Sequence, residues 1–555
     1  MNTASTKSNR KVSQQDNRSD SRAFRQRSKD PFELPDRQWF LVVVTILFVA
    51  TLLRCYELDL VPLHHDEGVN GNFLVRLVRE GFYQYDPANY HGPTLYYFAA
   101  VFPALIKLLF GAAASDKYGL TTFEIRFIPA IFGVATVGLI LTLRRRLGTL
   151  ATLAAAILLT LSPGAVYLSR YFIHETQFVF FTLAFIVCAL RFYDELRPGY
   201  LLLAFASLAL LFATKETAMI SAAVLVIAFV VSHVYLRGYR KAIEPGKTRK
   251  ASIQNPGFSK FVKQLGGVRR LGLWVGIGVI LFVAINVVFY SSFFTNFPKG
   301  VYDSLQTFKF WTKTGKEAHV HPPLTYLTWL FSQEGPILFL GCVGAAFAVL
   351  KPKNTIGLFV ALWAFGLLAA YSLVPYKTPW LDLNFIVPFA IVSGYAVQSI
   401  YEMDMNQLRL PILIMLVAFG VNVYQMIDLN FINYDNDDSY YVYVYAHTKR
   451  GLTQLVKEID KISEETHEDG KMGISIVSPD YWPLPWYLRD YSRVGYFGRM
   501  AQSTETIIIA EENERADIES TFGQNYQLIP STEPNGSFPL RPGVDLLLYR
   551  RVAPH

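Results

Sequence analysis

The sequence predicts an all-α polytopic membrane protein that carries a small soluble α/β domain at its C-terminus. Of its 555 residues, 52% are hydrophobic and 15% aromatic, which is too apolar for a soluble enzyme of this size. Apolar runs of about the 20 residues that a spanning helix needs recur from Trp39 to about Met426. Only the ends have a soluble composition, which predicts a disordered cytoplasmic tail at 1–36, a transmembrane domain at 37–426 and an extracytoplasmic α/β domain at 427–555.

Clusters of Lys and Arg predict which loops lie in the cytoplasm. The loop 237–270 is rich in both and has Glu244 as its lone acidic residue. Short cytoplasmic loops carry an excess of positive charge, so this loop is placed inside together with Arg144–Arg146 and the turn at 351–353. The excess of Lys and Arg that gives the net charge of +8 lies in this loop and in the tail. Anionic lipid head groups explain positive charge at these places, so it is no sign of nucleic-acid binding.

The number of crossings before Arg144–Arg146 exposes one helix that should not span the membrane. The tail and this basic cluster share one side, so an even number of crossings must separate them, yet three apolar segments lie between: 38–56, 94–112 and 123–143. The segment 94–112 follows a polar turn, His91-Gly92-Pro93, and is predicted to lie in or re-enter the outer interface. The prediction is therefore about 11 crossings plus one embedded helix on the outer face.

With this topology the polar clusters of the loops all fall on the outer face. Any one of them is equally well explained as an interfacial anchor or a helix cap, but their convergence indicates an active site. Basic residues at helix ends can lie harmlessly at the interface, whereas two adjacent carboxylates beside two histidines have no anchoring role. The clusters are His64–Glu67, His91, Arg126, Ser169–Glu175, Lys215-Glu216, His319–His321 and Tyr376–Trp380.

Carboxylates and cations at an outer membrane interface suit transfer from a lipid-linked sugar. Its phosphate leaving group needs no protonation, so one carboxylate can act as general base on an acceptor hydroxyl while Arg and Lys hold the phosphate. A glycoside hydrolase more often needs a paired acid and base. The residue types therefore favour a glycosyltransferase on the outer face of the cell membrane.

An ordered set of motifs resembles the GT-C glycosyltransferases, whose well-known branches include protein O-mannosyltransferases and aminoarabinose transferases. It comprises the Asp66-Glu67 pair, a Gly-Pro turn before the next apolar segment, Arg126-Phe127-Ile128-Pro129, and Ser162-Pro163 leading to Ser169-Arg170. More narrowly, four motifs resemble the flippase-activity-associated family of archaea and some bacteria. They are His65-Asp66-Glu67-Gly68, Tyr90-His91-Gly92-Pro93-Thr94, Tyr376-Lys377-Thr378-Pro379-Trp380 and Tyr481-Trp482-Pro483-Leu484-Pro485-Trp486-Tyr487.

This resemblance implies a GT-C fold and a role for each matching residue. Asp66 is implied as the catalytic base, and Glu67 as a second catalytic residue that shapes its surroundings. The donor phosphate is implied to contact the cations Arg126, Arg170, Lys215 and Lys377. The sugar or the acceptor is assigned to His65, His91, His174, Glu175, His321 and Tyr376. A plain helix start is an alternative reading of His174-Glu175.

The sequence leaves open the metal, the type of acceptor and the choice between a transferase and a transporter. The outer histidines and carboxylates leave a divalent metal ion as an alternative, although their spacing matches no compact zinc pattern, and no metal ligand is assigned. The predicted partners are a polyprenyl-phosphate-linked sugar, membrane lipids and a hydroxyl acceptor on protein, lipid or glycan. The alternative function is a lipid-linked sugar flippase or transporter, against which stands the lack of a clear internal repeat.

The C-terminal region changes periodicity and predicts a compact α/β assembly. Its Tyr481–Tyr487 stretch is aromatic and interrupted by proline, and is expected either to stack on a sugar or meet the membrane, or to form a seam against the transmembrane part. Helices are predicted at 446–464 and 511–521, and strands at Met472–Val477, Thr506–Ala510 and Val544–Arg550.

Overall fold

The computed structural model describes residues 30, 32–88, 91–243, 258–314, 319–352, 355–403 and 407–552. Most of the predicted tail and the middle of the basic loop, 244–257, lie outside this range. The helices are α1 Asp36–Cys55, α2 His65–Glu80, α3 Thr94–Phe110, α4 Ala112–Gly119, α5 Thr122–Leu141, α6 Arg144–Leu147, α7 Thr149–Leu161, α8 Pro163–Ser169, α9 Glu175–Glu195, α10 Pro198–Phe212, α11 Ala218–Ile243, α12 Phe258–Gln264, α13 Val268–Tyr290, α14 Lys299–Thr314, α15 Thr325–Gln333, α16 Gly335–Leu350, α17 Thr355–Leu373, α18 Leu383–Met403, α19 Arg409–Ile427, α20 Gly451–Thr466, α21 Leu484–Tyr487 and α22 Arg515–Phe522.

The transmembrane part is a helical bundle, as predicted. Within the described residues, eight helices are long and apolar enough to cross a membrane, and ten if each of two bent pairs counts as one crossing. The pair α7 and α8 bends by 60°, and the pair α15 and α16 bends by 113°. At the first of these bends stands Pro163, which has no backbone N–H with which to continue the helix.

The shorter apolar helix α10 is not among these candidates, but its two ends lie beside those of α9. It runs back along α9: Asp194, near the end of α9, pairs with Arg146, whereas Glu175 at its start pairs with Lys215, just after α10. Because α10 begins beside one end of α9 and ends beside the other, the two helices traverse the same thickness of the bundle. The end with Arg146 is called the basic face below.

The predicted embedded helix is one arm of a hairpin. Helix α4 folds back on α3, where the hydroxyl of Ser115 donates to the carbonyl of Pro103 at 2.8 Å. At the end of α4, Asp116 accepts from Arg79, which also pairs with Asp490 of the C-terminal domain. The hairpin thus starts and ends on the side of the bundle that carries the C-terminal domain, called the domain face below, in agreement with a helix that enters without crossing.

Burial is uneven among the membrane helices. The segment Pro379–Met403, which contains α18, has 94% of its apolar window buried, whereas α13 has 6%. Helix α18 therefore forms the centre of the bundle, and α13 lies at its periphery. Gly394 on α18 lies so close to the backbone of Ala151 that an added Cβ would come 2.1 Å from the carbonyl oxygen of that residue. Glycine at this position lets α7 and α18 pack closely.

The C-terminal domain begins at α20, after a segment 433–450 that packs on the bundle. Its sheet has the order β2-β1-β3-β6-β4, with β5 paired to β6. Strands β1, β2 and β3 are parallel, and β6 is antiparallel to its neighbours. The predicted strands and helices are found to within a few residues. The strands are β1 Gly473–Ile476, β2 Arg493–Tyr496, β3 Ile507–Glu511, β4 Tyr526–Ile529, β5 Phe538–Arg541 and β6 Val544–Arg551.

Candidate active site

A cavity of about 490 Å³ lies on the domain face, where the ends of the membrane helices meet the C-terminal domain. Its wall comes from the start of α2, the turn before α3, the start of α9, the α10–α11 turn and the loop before α18. The predicted site residues that line it are His65, Asp66, His91, His174, Glu175, Lys215 and Tyr376. Those that do not line it are Glu67, Arg126, Arg170, Lys377 and His321.

Asp66 presents a carboxylate to the cavity from the first turn of α2. Its side chain is 43% exposed. The helix starts here because His64 caps it: the Nδ1 atom of His64 accepts from the backbone N–H of Asp66 at 3.1 Å, and Glu67 accepts from the N–H of His64 at 3.0 Å. The partial positive charge of a helix N-terminus favours an anion in this turn. Asp66 is therefore held by its backbone while its carboxylate stays open to a ligand.

Glu67 points the other way and is completely buried. Its two carboxylate oxygens accept from the Nε and Nη2 atoms of Arg126 at 2.7 and 2.6 Å, and from the backbone N–H of Phe172 at 2.7 Å. The prediction that Glu67 stands with Asp66 at the catalytic centre is corrected accordingly: its carboxylate does not reach the cavity surface. Glu67 joins α2, α5 and the 170–174 turn beneath the site.

The predicted contact of Arg126 with the donor phosphate is also corrected. A guanidinium has five N–H donors, and those of Arg126 are spent on Glu67 and on the carbonyls of Leu58, Val61 and Pro62 at 2.7 to 3.3 Å. The side chain is 1% exposed. Arg126 therefore fixes the loop that leads into α2 and has no donor left for a ligand.

Arg170 likewise donates its hydrogen bonds to backbone carbonyls and does not line the cavity. Its guanidinium donates to the carbonyls of Leu53, Tyr56 and Glu57 at 2.5 to 3.2 Å and lies over the ring of Phe431. These carbonyls belong to the last turn of α1 and the residues after it, where orphan carbonyls attract a cation. The predicted phosphate contact of Arg170 is not supported by this geometry.

The cavity wall also carries an ion pair between Glu175 and Lys215. Both side chains are about 5% exposed or less. Burial acts to lower the pKa of Lys215, but the carboxylates of Glu175 and Glu216 outweigh it and raise the pKa. Lys215 therefore carries a fixed positive charge on the wall. Because it is buried, water screens this charge less, and its interaction with an anion is stronger than at the protein surface.

The turn before α3 holds His91 against the same wall. His91 forms a β-bridge with Lys215, and its Nδ1–H donates to Glu216 at 3.2 Å. The next residue, Gly92, leaves space for this contact, because a Cβ there would come 2.0 Å from the carbonyl oxygen of Ala213. The glycine of the His-Gly-Pro motif is therefore required by the close approach of two backbones.

His174 lies behind His91 and is buried. Its Nε2–H donates to the carbonyl of Gly92 at 2.9 Å, and its ring lies 5.0 Å from that of His91. Burial, together with the charges of His91 and Lys215, holds the pKa of His174 well below its usual value. Burial also lowers the pKa of His65. A neutral imidazole can donate and accept hydrogen bonds, which suits contact with hydroxyl groups.

Two loops meet to form the aromatic part of the wall. Val320 forms a β-bridge with Tyr376, and the N–H of Lys377 donates to the carbonyl of His319 at 3.0 Å. Tyr376 and His319 line the cavity together with Trp380. His319, which was not assigned a role from the sequence, lies 2.9 Å from the hydroxyl of Tyr445 through its Nδ1 atom.

Lys377 and His321 belong to these loops but not to the cavity surface. The ammonium of Lys377 donates to the carbonyls of Val374 and His321, at 2.5 and 3.4 Å. The ring of His321 packs against Trp329 and Tyr445. The predictions that Lys377 contacts the phosphate and that His321 contacts the sugar are corrected, because both side chains serve the packing of the loops.

The C-terminal domain contributes wall residues that sequence reasoning missed. Arg541, at the end of β5, lines the cavity and pairs with Asp480 at 2.5 Å. Tyr445 comes from the segment that precedes the domain. No local pattern marks an arginine at the end of a strand as part of a site that lies 475 residues earlier in the chain (541 − 66), so only the tertiary packing reveals it.

The aromatic stretch Tyr481–Tyr487 forms the predicted seam with the membrane bundle. The ring of Trp486 covers Gly71, where a Cβ would come 2.6 Å from it, and Trp482 and Pro483 cover Gly68 in the same way. The hydroxyl of Tyr487 accepts from the backbone N–H of Leu63 at 2.9 Å. The two glycines of α2 therefore let the C-terminal domain pack directly on the helix that starts with Asp66.

No group of three His, Cys, Asp or Glu side chains converges on a common metal position in the part of the chain that the structure describes. The rings of His64 and His447 lie 5.5 Å apart, but both are buried among aromatic side chains. The arrangement therefore assigns no metal ligand.

Comparisons with known proteins bear on the family and the fold of the chain. The family profile of dolichyl-phosphate-mannose-protein mannosyltransferases matches residues 42–299. Among solved structures, ArnT from Cupriavidus metallidurans bound to undecaprenyl phosphate is similar at 13% identity and a TM-score of 0.57, over 93% of this chain and 98% of that chain. The arabinofuranosyltransferase AftD from Mycobacteria is similar at 12% identity and a TM-score of 0.50, over 95% of this chain and 40% of that chain. A sequence comparison with curated proteins finds no match.

The fold and the family profile define the class of this protein as a multi-pass membrane enzyme with the GT-C fold. The resemblance to the GT-C superfamily is thereby confirmed. The profile match and the fold agree on a membrane glycosyltransferase of the GT-C type. The narrower resemblance to the flippase-activity-associated family stays a prediction.

Proposed function

We propose that this glycosyltransferase moves a sugar from a polyprenyl-phosphate donor to an acceptor hydroxyl, with Asp66 as general base. The observation that carries the proposal is the contrast within one turn of α2. The carboxylate of Asp66 is open to a cavity of about 490 Å³, whereas the carboxylate of Glu67 is consumed by Arg126. An open, rigidly mounted carboxylate on a cavity wall is what base catalysis requires.

The proposed reaction is a single displacement at the anomeric carbon. Asp66 takes the proton of the acceptor hydroxyl as its oxygen bonds to the anomeric carbon. The bond from that carbon to the phosphate oxygen breaks, and polyprenyl phosphate leaves with the electron pair. The leaving group needs no protonation, so one base suffices. Such a base contributes about 10²–10⁴-fold to the rate.

Lys215 is the cation that we assign to the donor phosphate. It lines the cavity, whereas the other predicted cations Arg126, Arg170 and Lys377 donate to protein carbonyls or carboxylates. Its partner Glu175 orients the ammonium, and a phosphate that reaches the wall would share it. The neighbouring histidines His65 and His91 are assigned to sugar hydroxyls, as their position on the wall allows.

The similarity to ArnT, whose structure holds undecaprenyl phosphate, supports a polyprenyl-phosphate carrier for the donor. We place the domain face on the extracytoplasmic side of the cell membrane, because Arg144–Arg146 lie at the opposite, basic face. The acceptor hydroxyl belongs to a protein, a lipid or a glycan.

The test is release of polyprenyl phosphate from a panel of labelled polyprenyl-phosphate sugars by the protein in lipid nanodiscs. Asp66→Asn keeps the size of the side chain but removes the base, so we expect the rate to fall by about 10²–10⁴-fold with the donor that wild type uses. The matched control is Asp59→Asn, which changes an exposed carboxylate outside the cavity and leaves the rate unchanged.

Turnover by Asp66→Asn at the wild-type rate would reject the base assignment. Binding of a donor by both proteins without turnover by either, followed by its appearance in the opposite leaflet, would favour a flippase instead. Both outcomes are separated from misfolding by the thermal unfolding profile of the variant, which should match that of wild type because Asp66 makes no buried ion pair.

A further inference from the structure

A series of four rings leads from the cavity onto the surface of the C-terminal domain. His65 on the cavity wall lies 6.0 Å from the ring of Trp482, which lies 6.0 Å from Tyr481, which lies 5.2 Å from Tyr496. The first ring belongs to the residue next to Asp66. The last ring is 36% exposed. We call these four residues the aromatic ladder.

The topology of the sheet explains why these rings meet. Tyr496 is the last residue of β2, and Tyr481 follows the end of the parallel strand β1. Parallel strands end at the same edge of a sheet, and the crevice outside that edge is where open α/β sheets bind ligands. In this protein the same edge faces the cavity, because Trp482 packs on Gly68 of α2.

Polar groups accompany the ladder. Asp480, directly before Tyr481, is 41% exposed and pairs with Arg541, which itself lines the cavity. The ladder is therefore a mixed surface, with aromatic faces and with charged groups that can donate and accept hydrogen bonds.

This combination matches the chemistry of a carbohydrate. The face of a sugar ring presents C–H groups that pack on aromatic rings, and its hydroxyls form hydrogen bonds with carboxylates and guanidinium groups. A membrane surface is disfavoured, since the carboxylate of Asp480, which is 41% exposed, would be repelled by anionic lipids. The continuity of the rings with His65 also connects this surface to the proposed base.

We propose that the aromatic ladder binds an oligosaccharide acceptor, which reaches into the cavity and offers a hydroxyl of its terminal sugar to Asp66. The inference rests on the proposed function and narrows its acceptor to a glycan. Tyr496 and Tyr481 bind sugar residues outside the cavity, Trp482 binds the residue at its mouth, and Arg541 and Asp480 bind hydroxyls beside it.

The test is direct binding of neutral oligosaccharides to the full-length protein in nanodiscs without donor. Maltopentaose, cellopentaose and mannopentaose are titrated while the intrinsic Trp fluorescence is recorded. We expect saturable binding of at least one of them, weakened about tenfold by Tyr496→Ala, because this change removes one stacked ring. Tyr496→Phe keeps the ring and should bind within about twofold of wild type.

A matched control and a second variant keep the result interpretable. Tyr118→Ala removes an exposed tyrosine from α4, outside the ladder, and should leave binding unchanged. Tyr481→Leu keeps apolar volume under the sheet but removes the ring, and should weaken binding as Tyr496→Ala does. Equal binding by wild type and both ladder variants, or no binding of any oligosaccharide, overturns the proposal.

The membrane alternative has its own signal. In nanodiscs with brominated acyl chains, fluorescence quenching that is present in wild type and reduced in Trp482→Phe would place the ladder in lipid and overturn the proposal. Because the binding assay contains no donor, it is independent of the proposed reaction. Ladder-dependent binding together with full turnover by Asp66→Asn rejects the proposed base alone, and the reverse pattern rejects the ladder alone.

Discussion

Two buried ion pairs lie close to the start of α2 and to the cavity, and they differ in what they contact. The Glu67–Arg126 pair lies beneath α2, and each N–H of Arg126 already has a protein acceptor. The Glu175–Lys215 pair lies on the wall itself. Both combine a carboxylate with a cation, so residue type does not separate them. Remaining hydrogen-bonding capacity and access to the cavity therefore distinguish a pair that only joins protein segments from a pair that a ligand can reach.

The largest effect on stability is expected beneath the helix. Glu67→Gln removes the charge that compensates Arg126 in a fully buried position, and breaking such a pair costs about 3–5 kcal/mol. We expect the free energy of unfolding in mixed micelles to fall by that amount. Trp fluorescence during titration with denaturing detergent measures it. A loss below about 1 kcal/mol would show that the Glu67–Arg126 pair does not hold α2, α5 and the 170–174 turn together.

On the cavity wall, the corresponding change should act on donor affinity. Lys215→Gln removes a charged donor to the phosphate, and hydrogen bonds to charged groups contribute about 1.5–3 kcal/mol, or roughly 10- to 150-fold in Kd. The measurement is donor binding in nanodiscs, with Lys215→Arg expected to keep most of the affinity. The matched control is Lys377→Gln, because that ammonium donates to carbonyls outside the cavity. Equal losses from both lysines would remove the distinction.

The free energy of unfolding should depend on pH because of His174, which lines the cavity. Burial holds the pKa of this imidazole well below its value in the unfolded chain, so the folded state keeps it neutral. Below about pH 6.5 the unfolded state binds one more proton, and stability is lost as the pH falls, by about 1.4 kcal/mol per pH unit for this group. Above that pH the contribution is constant.

The measurement is the unfolding free energy from pH 7 to pH 5. His174→Asn should reduce its slope by about 1.4 kcal/mol per pH unit, whereas His467→Gln, an exposed histidine of the C-terminal domain, should not. An unchanged slope in His174→Asn would mean that the imidazole is already accessible to protons in the folded protein.

The smallest effect is expected at the basic face. Asp194 pairs with Arg146, but the two side chains are 39% and 30% exposed. Exposed pairs contribute about 0–1 kcal/mol, so Asp194→Asn should change the unfolding free energy by no more than that, in the same micelle assay. A loss comparable with that of Glu67→Gln would contradict the role that burial is given in this comparison.

Local patterns of the sequence were sufficient for much of this protein. The apolar segments predicted the bundle, and the parity of basic loops singled out 94–112, which is the first arm of the α3–α4 hairpin. Most residues in the His-Asp-Glu and His-Gly-Pro motifs were correctly expected near one another, because loops on one face of a bundle must converge there.

The assignment of cations was less successful, for a physical reason. Four cations were predicted near helix ends on one face, and from the sequence each is equally able to contact a phosphate: Lys215, Arg126, Arg170 and Lys377. Whether a cation is free depends on carbonyls that come near it in space, such as those at Leu58 and Val61 for Arg126. Such acceptors are backbone atoms, which leave no mark in the sequence.

The sequence by itself determined the class of fold, the embedded helix and the turn that carries Asp66, because each depends on hydrophobic length, charge or glycine within a short stretch. Only the tertiary structure decided that Glu67 faces inward while Asp66 faces the cavity, and that Arg541 joins the wall from the C-terminal domain. The reason is that burial and hydrogen-bond partners are set by packing between segments far apart in the chain, which local patterns do not encode.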